Sequence, residues 1–238
     1  MALCIPLPSC RFRHRPVRSS LERQELFGRI APVYDNLNDL LSLGQHRIWK
    51  RMTVSWTGAK MGDCALDLCC GSGDLAFLLS EKVGSNGKVI GLDFSKEQLS
   101  IASCRQGLAP NACYNNIEWV EGDALELPFL MVTLMPLQWV MGYEMWLIKK
   151  EPCRRCSRVS VLDFNKSTQP FTNLIQEWMI DNLVVPVATG YGLAKEYEYL
   201  KSSIKEFLTG KELERLALQV GFSNARHYEI SGASWGTW

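Results

Sequence analysis

The sequence predicts an α/β domain with a mostly parallel sheet and helices on both faces. Three observations predict it. Short apolar runs alternate with stretches of helical length, as parallel strands joined by helices require. The first strand-to-helix turn, "CCGSGD" at Cys69–Asp74, is glycine-rich, the mark of a nucleotide-binding α/β sheet. The chain has 238 residues, 47% hydrophobic and 21% charged, which suits one domain with a substantial core.

Residues 1–20 carry Arg11, Arg13, Arg15 and Arg18 with no Asp or Glu, and prolines interrupt any apolar run. This is the composition of an organelle transit peptide rather than a secretory signal, which sets the domain at residues 21–238. From Leu21 to Trp56, residues such as Leu26, Phe27, Ile30 and Leu37 recur at helical intervals, broken near Pro32 and Gly44. Two or three short helices follow from that spacing. "CALDLC" reads as the first strand and "DLAFLLSEKV" as the helix after the turn, with "KVIGLDFS" the second strand. Ser95 caps the next helix, through Leu108, and "NIEWVEGD" is the third strand. Later, "SRVSVLDF" is a strand and "TNLIQEWMIDNLVVPVA" a helix or helix pair. "TGKELERLALQVGF" is an amphipathic helix begun by Thr209 and stopped by Gly221, and "ARHYEIS" is a strand.

Composition narrows the function. The formal net charge is +1, which favours no polyanion such as nucleic acid. No run reaches the roughly 18 apolar residues needed to span a bilayer, while a peripheral membrane contact stays compatible. Nine cysteines and three histidines contain a single C-x-x-C, Cys153 to Cys156, and without a second pair no metal site is expected.

The candidate site lies at the glycine turn. Gly71 and Gly73 lack a Cβ and allow close approach of a ligand, and Ser72 adds a small hydroxyl. Three carboxylates accompany the turn: Asp67 inside the first strand, Asp93 ending the second and Asp123 after the third. All three fall near the carboxyl edge of the sheet, where α/β proteins bind ligands. Asp93, about twenty residues beyond the turn, is placed to accept both hydroxyls of a ribose. Asp123, with the Ala124 amide, is placed to meet an adenine. A dinucleotide-dependent oxidoreductase shares the ribose acid, but it must set a pyrophosphate beside Asp67 and Asp74. Those charges oppose an anion and favour a ligand with an amine and a sulfonium, S-adenosylmethionine.

Beyond these features, "YDNLNDLLSLGQHRIW" at Tyr34–Trp49 resembles the first signature of the ubiquinone/menaquinone C-methyltransferases, within the class I S-adenosylmethionine-dependent methyltransferases. Tyr34, Asp35, Asn38, Ser42, His46 and Trp49 agree, and Leu37 replaces a methionine. "GDALELPF", "SVLDFNKS" and "LAKEYEYLKSSI" are similar to the plant plastid members, which favours plastid over mitochondrion. The resemblance implies a Rossmann-like fold and C-methylation of a reduced prenylated naphthoquinone, a late step in making phylloquinone or menaquinone. It implies cofactor contacts at Gly71, Ser72, Gly73, Asp93, Asp123 and Ala124. Asp67 is expected near the methionine moiety and Phe94 against the adenine. Tyr34 and His46 are the candidate catalytic groups.

Residues Leu130–Cys156 depart from that pattern, with Pro136 and Pro152 where a strand and a helix end should run. So does the terminus, "ISGASWGTW". Sharp edges on both sides of the internal segment point to translation out of frame or from a mis-spliced message, and to an inactive product as the alternative to an enzyme. They put the fourth and last strands in doubt.

Overall fold

A computed structural model describes residues 44–109, 111–123, 138–141, 158–163, 177–193, 208–219, 222–230 and 233–237, with positions 25, 28, 29, 36, 39, 42 and 174. The leader expected at residues 1–20, Tyr34, Ala124 and the Cys153–Cys156 pair lie outside the described residues. The described elements are α1 (His46–Trp56), β1 (Cys64–Leu68), α2 (Asp74–Val83), β2 (Lys88–Asp93), α3 (Lys96–Leu108), a 3-10 turn (Ala112–Asn116) and β3 (Ile117–Glu121). After these come β4 (Gln138–Met141), β5 (Arg158–Asp163), a π turn (Ile180–Val184) running into α4 (Val185–Gly190), α5 (Gly210–Gln219), β6 (Arg226–Ile230) and β7 (Ala233–Thr237).

One seven-stranded sheet has the order β3-β2-β1-β4-β5-β7-β6. Pairs from β3 through β5 are parallel, and β7 runs antiparallel to both β5 and β6. The order reverses between β1 and β4, which creates a crevice beyond the carboxyl ends of the strands.

Strand alternation sends each half of β1 to a different core. Leu66 and Leu68 pack with Ile90, Leu92, Val159 and Val161 beneath Leu213 and Ala217 of α5. Ala65 joins Val89, Ile117 and the α2 residues Ala76, Phe77, Leu79 and Val83 on the opposite face. Fully burying each such aliphatic side chain stabilises the fold by about 1.5–3 kcal/mol. The period of two therefore leaves Asp67 on the α2 face, a carboxylate in an otherwise apolar row. Helix α1 covers that face too, packing on α2 and β5.

Local chemistry sets the helix ends. Ser95 Oγ accepts from the Gln98 amide at the start of α3. At α5, Glu212 Oε2 accepts from the amide and hydroxyl of Thr209, both at 2.8 Å, the Glu-to-amide half of a capping box. Pro186 lacks the donor a helix interior needs, and the π turn immediately before it absorbs the mismatch.

The doubt over the fourth and last strands is corrected. β4 pairs with both β1 and β5, placing Val140 opposite Asp67 and Ser160. It begins after Pro136, so that residue's missing donor falls outside the ladder, and Trp139 and Val140 are good strand formers. At the terminus, β7 forms a hairpin with β6 in which Ile230 pairs with Ala233.

Proline at position 140 is a direct check on β4. Val140→Pro would remove a ladder donor from the centre of the sheet and leave a buried carbonyl unpaired, at an expected cost of about 1–3 kcal/mol. Thermal unfolding would read it as a large drop in melting temperature, and an unchanged midpoint would show that Gln138–Met141 lies outside the ladder.

Candidate functional site

The turn after β1 is strongly curved. Cys69, Gly71 and Gly73 all have positive φ, at 57°, 54° and 90°. For Cys69 this left-handed conformation costs roughly 1–2 kcal/mol, offset by its packing against the α5-side core. The two glycines serve different ends. Among the described residues a Cβ on Gly71 would meet only Gln98 Oε1, at 3.9 Å, so that side of the turn is open. A Cβ on Gly73 would lie 2.5 Å from Trp119 Cη2, so Gly73 makes room for a packed indole. That indole donates to Gln106 Oε1 at 2.6 Å.

Asp93 holds the turn in place. Its Oδ2 accepts from the Gly71 amide at 2.8 Å and its Oδ1 from the Ser95 amide at 2.9 Å, with a further backbone bond from Phe94. Burial nevertheless raises its pKa, because desolvation outweighs the three amides. Phe94 beside it is half-buried, as is Asp123.

Asp67 is 1% exposed, and its Oδ2 has no hydrogen-bond partner among the described residues. The Ala76 amide in the first turn of α2 donates to the carboxylate. Burial first, and then the charge of Asp93, push its pKa up to about 8. The same burial, with the carboxylates of Asp67 and Asp93, raises the Cys70 thiol and keeps it protonated.

Asp74 departs from the role its position in the sequence suggests, that of a charge opposing an anion. Its carboxylate lies 2.6 Å from Lys50 Nζ of α1 and 2.6 Å from Arg105 Nη2 of α3. Burial raises its pKa, but the two cations overcome this and hold it at about 2. Two neighbouring cations cancel Asp74's charge, so the electrostatic case against a pyrophosphate weakens there and rests on Asp67. Arg105 also donates from Nη1 to Ser72 O at 2.8 Å and Ser72 Oγ at 3.0 Å, so the Ser72 hydroxyl is engaged with the turn's own clamp.

His46 is buried at the start of α1. Its Nδ1 is 3.3 Å from Ser42 Oγ, and its Nε2 is 3.5 Å from Asp39 Oδ1. Both ring nitrogens thus face partners on the same segment, an arrangement suited to fixing the helix.

Four residues around the turn escape a reading of the sequence: Lys50, Gln98, Arg105 and Trp119. Lys50 carried a usable signal, because it sits one turn after His46 and so shares its helix face. The other three reach the turn from α3 and β3, and nothing in their local sequence marks that.

An adenosyl cofactor fits these residues. Among the described residues the buried Asp67 oxygen has no hydrogen-bond partner and offers a site for a cationic group, the Cβ side of Gly71 is open, and Asp93 is fixed beside it. Together with the sheet order, this defines a class I S-adenosylmethionine-dependent methyltransferase. Two solved structures share the fold: a putative S-adenosylmethionine-dependent methyltransferase of Methanococcus maripaludis, with TM-score 0.56 and 17% identity, covers 89% of this chain and 92% of its own. Another, from Aquifex aeolicus, has TM-score 0.52 and 15% identity over 85% of this chain and 95% of its own.

The chain belongs to the ubiE/COQ5 methyltransferase family, whose pattern matches residues 17–142, ending within the Leu130–Cys156 stretch. It is 61% identical over 244 residues to the chloroplastic 2-phytyl-1,4-beta-naphthoquinone methyltransferase of Arabidopsis thaliana, covering 97% of this chain and 91% of that protein. Identity to the 2-phytyl-1,4-naphtoquinone methyltransferase of Trichormus variabilis is 44% over 225 residues, covering 90% of this chain and 96% of that protein. The cofactor is S-adenosylmethionine, and the oxidoreductase alternative is overturned by this membership.

Asp67 makes stability depend on pH in a definite direction. Its folded pKa, about 8, lies above the ordinary 3.8, so its contribution is full below 3.8 and is lost as pH rises towards 8. Asp67→Asn is expected to flatten that decline in the ligand-free protein, as measured by denaturant unfolding at several pH values. An unaltered pH slope would place the carboxyl in a solvated setting.

Proposed function

We propose that this protein transfers a methyl group from S-adenosylmethionine to a ring carbon of a reduced, prenylated naphthoquinone. The observation that carries this reading is the similarity to two naphthoquinone methyltransferases across nearly the whole chain, joined to a crevice whose residues fit the cofactor. When bound, S-adenosylmethionine supplies an electrophilic methyl on a sulfonium, and the acceptor carbon becomes nucleophilic when its adjacent hydroxyl loses a proton. The chain's task is to hold donor and acceptor in line with water excluded, which is worth far more than any single side chain.

Asp93 fixes the ribose, Gly71 admits the adenosyl group to the turn and Phe94 lies against the adenine. Asp123 and Ala124 meet the adenine's polar edge, Asp67 faces the amine, and Ser72 with Gly73 shapes the turn. His46 is assigned to holding α1, and proton removal falls to Tyr34 on the same signature segment.

Residues 1–20 are read as a plastid leader and 21–238 as one catalytic domain. The exposed side chains of Leu174, Trp178, Val187 and Tyr191 support a peripheral contact with the lipid that carries a prenylated substrate. Among the described residues no helix is long and apolar enough to cross a membrane.

Calorimetric titration of the chain without its first twenty residues is expected to show micromolar binding of S-adenosylhomocysteine and none of NAD. Incubation with the prenylated naphthoquinol and labelled S-adenosylmethionine should then label the quinone ring. Cofactor binding without turnover would overturn the substrate reading and favour the inactive product of a disrupted message.

His46→Gln separates a positioning residue from a base. Loss of a base costs about 10²–10⁴-fold in kcat. The substitution is expected to lower kcat less than tenfold and to leave the shape of its pH profile unchanged, and a larger loss with an altered profile would return His46 to the chemistry.

A further inference from the structure

We infer that Gln98, through its side-chain carbonyl, is a second acceptor for the ribose diol of the cofactor and shares with Asp93 the recognition of its two hydroxyls. The inference rests on the cofactor assignment above and deepens it, since nothing in the sequence pattern or the comparisons gives Gln98 a role.

Asp93 has a limited capacity. A carboxylate offers about four acceptor positions. Three backbone amides, those of Gly71, Phe94 and Ser95, already donate to this one. These bonds make the turn and the start of α3 rigid, but they leave Asp93 room for about one further hydroxyl. Adenosyl ribose presents two. The expectation from sequence that Asp93 takes both therefore exceeds what its lone pairs allow once the chain is folded.

A second acceptor stands at the right place. Gln98 is 4% exposed, in the first turn of α3, and its backbone N–H donates to the Ser95 cap. Its side-chain Oε1 has no hydrogen-bond partner among the described residues. Leaving such an oxygen buried and unsatisfied costs roughly 1–3 kcal/mol. Among those residues it is also the one atom that a Cβ on Gly71 would approach within 4 Å, at 3.9 Å, so it faces the same open space as the glycine whose amide binds Asp93. Gly71, Asp93 and Gln98 thus surround a single gap, with an acceptor position free on each of the two side chains.

Each acceptor should recognise one hydroxyl, and that makes the assignment testable. S-adenosylhomocysteine and its 2′-deoxy and 3′-deoxy analogues would be titrated into the whole chain and into Gln98→Met, which keeps length and apolar volume but removes the acceptor. The wild type is expected to bind the analogue lacking the hydroxyl that Asp93 accepts about 10- to 100-fold more weakly than the parent, because that bond is charge-assisted. The analogue lacking the hydroxyl that Gln98 accepts should bind about 5- to 10-fold more weakly, the worth of one neutral hydrogen bond. Gln98→Met should bind the parent more weakly by a similar factor and lose discrimination against one analogue while keeping it against the other. Gln98→Asn, which keeps the amide but withdraws the oxygen, should behave alike, and circular dichroism would establish that each variant is folded. Undiminished discrimination against both analogues in either folded variant would overturn the inference. A wild type that fails to bind S-adenosylhomocysteine would overturn the cofactor assignment itself and the inference with it.

Discussion

The bond from the Gly71 amide to the Asp93 carboxylate, 2.8 Å long, is the constraint around which the functional end of the sheet is organised. It ties the turn after β1 to the end of β2, two neighbours in the sheet whose connecting helix lies elsewhere. With it in place, the left-handed residues of the turn are held against their own conformational preference. The same carboxylate receives the Ser95 amide, so the entry to α3 is set by the group that sets the turn. A charge-assisted bond of this kind is worth about twice a neutral one, and burial excludes the water that would compete for it.

A second layer of ties holds the helices to that turn. Asp74, at the first position of α2, draws Lys50 from α1 and Arg105 from α3 onto one carboxylate. Arg105 reaches on to Ser72 and lies over the Phe77 ring, 5.2 Å from its centroid. Three helices on different parts of the chain therefore converge on one short turn. Since α1 also carries His46 and the end of the Tyr34–Trp49 signature, the signature segment and the glycine turn are mechanically joined through Lys50.

Polar groups left without partners mark where the protein is incomplete by itself. Among the described residues the buried side-chain oxygens that find nothing to bond belong to Asp67, Gln98 and Ser160. Ser160 lies on β5, across Val140 of β4 from Asp67, whereas Asp67 is on the strand that leads into the glycine turn and the Gln98 oxygen lies 3.9 Å from the Cβ position of Gly71. Such costs are tolerated where a ligand repays them. Its own surroundings keep Asp67 protonated to about pH 8, and a cationic group placed beside it would favour the charged form.

By itself the sequence determined the alternation of strands and helices up to β3, the strands at β5 and β6, the glycine turn, the Ser95 and Thr209 caps, and the family, because these depend on local periodicity, on turn chemistry and on a signature of fixed residues. It also located Asp67, Asp93 and Asp123 at the sheet's carboxyl edge, since strand ends can be read from composition. Only the tertiary structure decided that Gly73 accommodates Trp119, that Asp74 is neutralised by Lys50 and Arg105, and that Asp93 has most of its acceptor positions filled. Each of those depends on which distant side chains share a space. β4 was hidden for a related reason: Gln138–Met141 is too short and too ordinary to announce itself, and it becomes a strand because β1 and β5 offer it unpaired backbone on both sides.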